Sequence, residues 1–358
     1  MQQQADEDEL GLSSAALAAL KEFAVENNML GREGDNNVDV RLKVQERMDV
    51  KERTHDFRFA FGDDGDDEQV FISLAGINPE LGQTLASTGL TVWRAAQEMA
   101  RFMWEHRQWF VGKRVVELGA GLGLCGVLAS KLCTGGMVVI TDGGEEFTDS
   151  AMDALRKNLE RNSCKMPTTL PTSDGDEGAG AAGAAATTAA AAVAVENGRG
   201  AKVVLERLTW GEHANFLERY GGGGSGAVKV ENKDEGGEER GGFDFIVTAD
   251  VIYEEEGISP LLHTVVDILR LREGERVQEA ADSGESTCCT HRQPSPIPPS
   301  LSLPPPPARS TFLLAFARRN ISIERVLEEA ESLGLSWTVP EDFEPASASE
   351  NVYLMSLR

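Results

Sequence analysis

Three glycines alternate with small or apolar residues in one short stretch, Glu117-Leu118-Gly119-Ala120-Gly121-Leu122-Gly123. The apolar residues before it predict a buried strand, and the pattern after it predicts a helix. Glycine lets the backbone turn sharply, and its lack of a Cβ lets a ligand approach the main chain closely. An acidic residue just ahead of such a turn is typical of one class of α/β domain that binds nucleotide-type ligands. The stretch therefore predicts a ligand-binding turn between a strand and a helix.

The same residues fit two cofactors. Gly121-Leu122-Gly123-Leu124-Cys125-Gly126 also satisfies the dinucleotide fingerprint, in which a pyrophosphate lies on the helix N-terminus. S-adenosylmethionine carries no phosphate, so it needs only the close approach and flanking polar anchors. On this stretch alone both alternatives stay open.

Further polar and aromatic side chains follow three other predicted strands. Asp142 lies 23 residues after Gly119, near the spacing at which an acidic residue meets ribose hydroxyls. Trp210 ends the next strand, where its indole could flank an adenine. Asp250 and Tyr253 follow a third strand. Because ligands of α/β domains bind at the carboxyl ends of parallel strands, we expect these side chains to converge.

Strands and helices alternate from about residue 90 onward. This alternation predicts an α/β fold, a Rossmann-like seven-stranded sheet covered on both faces, with a C-terminal antiparallel hairpin. The predicted strands are 114–118, 137–141, 203–208, 243–249, 311–317, 336–339 and 352–357, and the predicted helices are 91–105, 122–132, 145–162, 258–271 and 321–333.

The chain divides into two predicted regions. Residues 1–88 form an N-terminal α/β extension with an acidic tail, and residues 89–358 form the main domain. Three low-complexity segments at about 163–200, 221–242 and 272–309 lack any periodicity that could bury a face, so they are predicted to be disordered insertions. Within the extension, a helix is predicted at 15–26 and strands at 38–44, 56–61 and 69–73, with a turn at 63–65.

Composition narrows the classes of partner. The 358 residues carry a formal net charge of −25, which argues against non-specific nucleic-acid binding and permits attraction of a basic partner. No secretory signal and no membrane span is recognisable. The five cysteines form no C-x-x-C and the five histidines show no metal-ligand spacing, so we expect reduced thiols and no metal. A cytoplasmic monomer is expected, with the nucleus as an alternative location.

A set of motifs, taken in order, resembles a known family. The set is G-L-T-V-W at 89–93, V-V-E-L-G-A-G-L-G-L-C-G at 115–126, I-T-D at 140–142, L-T-W at 208–210 and A-D-V-I-Y at 249–253. It resembles the seven-β-strand family-16 methyltransferases, many of which are protein-lysine methyltransferases. The later F-L-L-A-F-A-R-R-N at 312–320 is similar to the elongation-factor-2 lysine methyltransferases. The resemblance covers about 89–271 and 311–357.

The resemblance implies S-adenosyl-L-methionine as the cofactor and a role for each matched residue. Asp250 and Tyr253 would lie beside the methyl group and the acceptor amine. The cofactor-binding residues would be Trp93 at the methionine end, Glu117, Gly119, Gly121 and Gly123 in the turn, Asp142 at the ribose, Trp210 at the adenine, and Ala249.

The resemblance further implies methylation of a lysine side chain on a protein substrate. A substrate with a basic surface is expected, with no nucleic acid and no membrane as partner. Two alternatives stay open: a small-molecule methyltransferase on the same fold, and an NAD-dependent oxidoreductase that uses the glycines at 121–126.

Overall fold

The computed structural model describes residues 54–62, 69–77, 89–143, 148–164, 193–196, 198–221, 241–282, 305–317, 321–347 and 350–358. Two sheets and the helices that cover them make up these ranges. The strands are β1 Thr54–Phe61, β2 Val70–Ile77, β3 Arg114–Leu118, β4 Met137–Asp142, β5 Val193–Glu196, β6 Lys202–Arg207, β7 Phe245–Ala249, β8 Thr311–Ala317, β9 Leu335–Thr338 and β10 Glu350–Leu357. The α-helices are α1 Arg94–Glu105, α2 Leu124–Leu132, α3 Thr148–Arg161, α4 Ala214–Tyr220, α5 Ile258–Asp282 and α6 Ile323–Ser332, with short 3₁₀ turns at Arg107–Phe110 and Glu255–Gly257.

The main sheet has eight strands in the order β5-β6-β4-β3-β7-β8-β10-β9. Strands β6, β4, β3, β7 and β8 are parallel, while β5 and β10 run antiparallel to their neighbours. The chain builds outward from β3 to β4 and β6, then crosses to β7 and β8 on the other side. The strand order therefore reverses between β3 and β7, and such a reversal leaves a ligand-binding crevice at the carboxyl ends of the strands.

Apolar side chains on both faces of the sheet explain why its strands are nearly continuous in hydrophobic residues. Val115 of β3 lies in one buried cluster with Met103 of α1 and Leu128 of α2. The neighbouring Val116 faces the opposite way, into a second cluster with Leu262 of α5. The alternation of strand side chains thus divides the core into two layers around one sheet.

The predicted α/β fold class is confirmed, and all seven predicted strands are present. The eighth, β5, lies within the predicted insertion at 163–200, and α5 continues to Asp282 inside the insertion at 272–309. The prediction of disorder is wrong for these residues. Four strand residues beside an Ala-rich tract are too few for a period of two to stand out.

Helix α4 is not predicted by the sequence pattern, because it is only seven residues long. The rest of the three insertions lies largely outside the described residues, as do the predicted helix at 15–26, the strand at 38–44 and the turn at 63–65.

The N-terminal hairpin of β1 and β2 packs onto the main domain through two asparagines, Asn158 in α3 and Asn162 directly after it. Asn158 accepts from Ala75 N–H at 2.8 Å and donates to the Ala75 carbonyl at 3.1 Å. Asn162 does the same for Ser73, at 3.1 and 2.8 Å. These amides satisfy backbone groups of β2 that a further strand would otherwise pair. Asn158 also donates to the Leu122 carbonyl at 3.1 Å, so it joins the hairpin to the glycine turn.

Replacing Asn158 with alanine is expected to destabilise the fold. The change leaves backbone groups of Ala75 and Leu122 without partners, at about 1–3 kcal/mol for each buried group left unsatisfied. Urea unfolding should show a free energy of unfolding lower by about 2 kcal/mol or more. The matched control is Lys157→Ala on the same helix, an exposed residue whose ion pair with Asp153 is worth about 0–1 kcal/mol. Equal losses in the two variants would contradict the clamping role.

Candidate active site

The glycine turn after β3 uses a backbone conformation that side chains disfavour. Gly119, Gly121 and Gly123 have φ angles of 71°, 53° and 87°. An L-residue pays about 1–2 kcal/mol in this left-handed region, so each position favours glycine. Ala120 N–H donates to the Thr141 carbonyl at 2.9 Å, which holds the turn against the end of β4.

Close neighbours are a second cause that favours glycine at each of these positions. A Cβ on Gly119 would lie 2.7 Å from Val251 Cγ1 and 3.3 Å from Trp210 Cζ2. A Cβ on Gly121 would lie 3.3 Å from the Gly89 carbonyl oxygen, and one on Gly123 would lie 2.4 Å from Leu155 Cδ1. The turn therefore brings together the segments that precede α1, end β6 and follow β7, as the sequence predicted for the Trp210 and Asp250 segments.

Gly126 lies where α2 packs against the sheet. A Cβ at this position would stand 2.8 Å from two side-chain carbons of Ile140 and 2.4 Å from Glu117 Oε2. The residue thus allows close approach of helix to strand, and it does not line the turn itself.

Asp142 ends β4 with its carboxylate bound to the turn. Its Oδ2 accepts from Gly121 N–H at 2.6 Å, and its Oδ1 accepts from Gly143 N–H at 2.8 Å. Burial raises the pKa of Asp142, and the two N–H donors offset part of that rise. The predicted place of this carboxylate, beside the glycine turn, is found, and its contact with a ribose stays a prediction.

Glu117 is a buried acid whose Oε2 has no hydrogen-bond partner among the described residues. Burial, followed by the negative charge of Asp142, raises the pKa of Glu117 to about 8, and a weak interaction with Gly126 N–H offsets part of the rise. The neutral acid therefore predominates at pH 7. A buried polar atom without a partner costs stability, and such a cost is typical of sites kept for function.

Asp250 and Tyr253 lie at the same edge of the sheet. Asp250 has a φ of 58°, and Ser163 is the only other non-glycine residue with positive φ in the described ranges. The Asp250 N–H donates to the Ala315 carbonyl at 3.0 Å, which anchors Asp250 to β8. Tyr253 is 48% exposed. Partial burial, followed by the charges of Glu254 and Asp142, raises the pKa of Tyr253, so Tyr253 and Asp142 share one electrostatic environment.

The remaining predicted residues surround this edge. Trp210 is half-buried and lies next to Gly119. Trp93 is half-buried at the start of α1, four residues after Gly89. Ala249 ends β7 opposite Ala315 in the strand register. Contacts of Trp93, Trp210 and Ala249 with a cofactor stay predictions.

The sequence did not single out the residues that hold the Trp210 turn. Gly211 N–H donates to Thr264 Oγ1 at 2.9 Å, and that hydroxyl donates to the Pro260 carbonyl at 2.9 Å. The His213 ring contacts Thr264 Oγ1 at 3.1 Å and Asp267 Oδ2 at 3.0 Å. The only sequence signal was a threonine within the apolar run of α5.

The described residues contain neither a cluster suited to a metal ion nor a helix suited to a membrane span. In those ranges, no group of three or more His, Cys, Asp or Glu side chains is arranged to hold a metal ion. Among the same residues, no helix combines the length and the apolar character needed to cross a membrane.

Gly119→Ala is expected to weaken both the fold and the site. Its methyl group would collide with Val251 and crowd Trp210, in addition to the strain of a positive φ. Gly112→Ala is the matched control, because Gly112 has a φ of 68° but nothing within 4 Å of the added Cβ. Thermal unfolding should show a larger fall in Tm for Gly119→Ala than for Gly112→Ala. Calorimetric titration with S-adenosylhomocysteine should likewise show a larger loss of affinity. Indistinguishable variants would contradict the steric argument.

Glu117→Gln is expected to change the pH dependence of stability. The pKa of Glu117 is about 8 in the folded chain against an ordinary 4.5. The folded state therefore binds more protons between these values, and the stability contributed by the neutral acid is full at low pH and is lost as pH rises through 8. Relative to wild type, the glutamine variant should gain stability from pH 5 to pH 9, as measured by urea midpoints. A difference that stays constant with pH would contradict the raised pKa.

Known proteins of similar sequence are methyltransferases. Residues 79–171 match the family model described as lysine methyltransferase. The protein N-lysine methyltransferase METTL21A of Danio rerio is 29% identical over 174 residues, which cover 49% of this chain and 52% of that protein. The histone-arginine methyltransferase METTL23 of Xenopus laevis is 40% identical over 78 residues, 22% of this chain and 30% of that protein. The chain thus spans about half the length, or less, of these curated relatives.

A solved structure, the 16S rRNA N2 G1207 methyltransferase RsmC of T. thermophilus in complex with AdoMet and guanosine, matches 85% of this chain and 51% of that chain. Its identity of 14% and TM-score of 0.37 are too low to support an assignment. The family match and the curated relatives confirm the predicted resemblance: residues 79–171 carry the sequence pattern of the lysine methyltransferase family, and the chain resembles its protein-lysine methyltransferases.

Proposed function

We propose that this chain is an S-adenosylmethionine-dependent methyltransferase that modifies a lysine side chain of a protein. The observation that carries the proposal is the left-handed glycine turn bound to Asp142, with Asp250 at the same sheet edge. The lysine methyltransferase family match and the METTL21A relative support it.

The residues at this edge fit the cofactor. Three glycines in the left-handed conformation turn the main chain sharply at the carboxyl end of β3, where ligands of α/β domains bind. Asp142 offers a carboxylate for ribose hydroxyls, and Trp210 offers a ring beside Gly119 for the adenine. The unpaired Oε2 of Glu117 is a further polar group beneath the turn. When bound, the sulfonium supplies an already activated methyl group.

The chain's own residues must then position the acceptor amine, which has to lose a proton before it can react. A lysine with a pKa near 10.4 is only about 0.04% neutral at pH 7. Asp250 holds the arriving ammonium, and the Tyr253 ring forms a wall that attracts the same cation. The proton would leave to water, which frees the amine nitrogen to accept the methyl group that bound S-adenosylmethionine would supply. This reaction depends on alignment of the two reactants, which Asp250 and Tyr253 provide.

An acidic rim favours a basic protein surface as substrate. Glu254, Glu255 and Glu256 follow Tyr253 directly and are exposed. In a chain with a net charge of −25, they would attract lysine-rich segments and repel nucleic acid.

Arginine methylation is a second candidate. The METTL23 relatives from Xenopus laevis and Mus musculus are named histone-arginine methyltransferases and are 40% and 36% identical over 78 and 75 residues. Because an arginine guanidinium is also cationic, Asp250 and Tyr253 would suit it as well.

The test uses purified chain, cell lysate and S-adenosylmethionine labelled in its methyl group. Label should enter protein, and hydrolysis should release methyl-lysine. Methyl-arginine would favour the second candidate, and label only in small molecules would contradict both.

Asp250→Asn is expected to reduce transfer at least 100-fold while S-adenosylhomocysteine still binds, because asparagine tolerates the left-handed backbone but lacks the charge. Calorimetry and methyl transfer to the labelled substrate measure the two effects. Glu328→Gln, which removes an exposed charge from α6, should retain most activity. Full activity in Asp250→Asn would show that the assigned role is wrong.

A further inference from the structure

We propose that a pocket at the amino ends of β3, β4 and β6 binds a phosphate group. This is the edge of the sheet opposite the active site. Its basic residues are Arg107 after α1, Lys131 at the end of α2 and Arg199 before β6. Gln108 and Thr134 add an amide and a hydroxyl to the lining.

The charge of this pocket differs from that of the chain as a whole. The formal net charge is −25, yet the lining contains three cationic side chains and no aspartate or glutamate. Within the described residues, neither Arg107 nor Lys131 forms an ion pair. Like charges that line one pocket repel one another, and a bound anion would relieve that repulsion.

Backbone contacts hold the cations in place. Arg199 Nη1 donates to the Lys131 carbonyl at 3.1 Å, and Lys131 Nζ donates to the Asn162 carbonyl at 3.3 Å. Arg107 Nη1 donates to the Trp104 carbonyl at 3.3 Å, with its guanidinium 4.9 Å from the centre of the Trp104 ring. These bonds orient the side chains and leave Arg107 with further N–H groups to offer, since a guanidinium has five.

Crowding at Lys131 is consistent with this arrangement. Burial lowers the pKa of Lys131, and the Arg199 charge lowers it further, while Cys164 acts in the opposite direction. The ammonium is therefore held in an environment that an anion would stabilise.

The size of the pocket limits its occupant. Its volume is about 150 Å³, whereas pockets for drug-sized ligands are about 300–1,000 Å³. A space of this size suits one small group. Guanidinium and ammonium groups are the usual partners of phosphate oxygens, so a phosphate group, free or carried by a larger molecule, is the ligand that these donors fit.

The experiment measures thermal unfolding of the full chain in increasing inorganic phosphate, with sodium chloride keeping the ionic strength constant. We expect a saturable rise in Tm, because a ligand bound to the folded state stabilises it. Lys131→Gln should weaken the apparent phosphate affinity at least ten-fold without lowering the Tm in phosphate-free buffer. Lys157→Gln, which removes an exposed lysine on α3, should respond like wild type.

Further arms separate the sources and exclude artefacts. Calorimetry with a phosphoserine peptide distinguishes attached from free phosphate: binding of either at this pocket supports the proposal. Arg107→Gln provides a second variant should Lys131→Gln fail to fold. The absence of a saturable rise, an equal rise in wild type and both variants, or an equal rise with acetate would overturn the proposal. S-adenosylhomocysteine binding should be the same in Lys131→Gln and wild type, which keeps this site distinct from the proposed function.

Discussion

The hydrogen bond from Gly121 N–H to the Asp142 carboxylate, at 2.6 Å, ties the turn after the first parallel strand to the end of the second. The strands β3 and β4 pair as far as Leu118 and Thr141, and threonine side chains add further bonds at this end of β3. Thr141 Oγ1 donates to the Glu117 carbonyl at 2.7 Å, and Thr248 Oγ1 of β7 donates to the Leu118 carbonyl at 2.8 Å. Both neighbours of β3 thus fix the direction in which the glycine turn leaves the sheet. These bonds reinforce the end of β3 beside the crevice that the reversal of strand order leaves.

The sequence indicated the parts of this arrangement that depend on local pattern. Val115 to Leu118 read as a buried strand from their composition, and alternating glycines read as a turn from the conformations they permit. Asp142 and Asp250 could be placed at one edge because parallel strands end on the same side of a sheet. Turns and strand ends depend on neighbouring residues, so the sequence predicts their positions to within a few residues.

Contacts between distant segments were not visible in the pattern. Gly89 meets Gly121 across 32 residues, and Thr264 meets Gly211 across 53. Nothing in the letters around Gly89 separates a glycine that contacts another turn from one in an ordinary loop. Likewise, the burial that makes Glu117 a neutral acid arises from α2 and β4 together. Packing, and not local preference, decides such features, and they are where the site acquires its electrostatics.

The bonds of Asn158 and Asn162 to β2 limit where this protein can be divided. The similarity to the lysine methyltransferase family begins at residue 79, after β2 has ended. A fragment started there would lose Val70, Ile72 and Leu74 from the core. It would also leave the amides of Asn158 and Asn162 facing solvent where they now meet Ala75 and Ser73. The region of sequence similarity is therefore shorter than the unit that folds. An expression fragment that begins at residue 79 would lack part of the folded core.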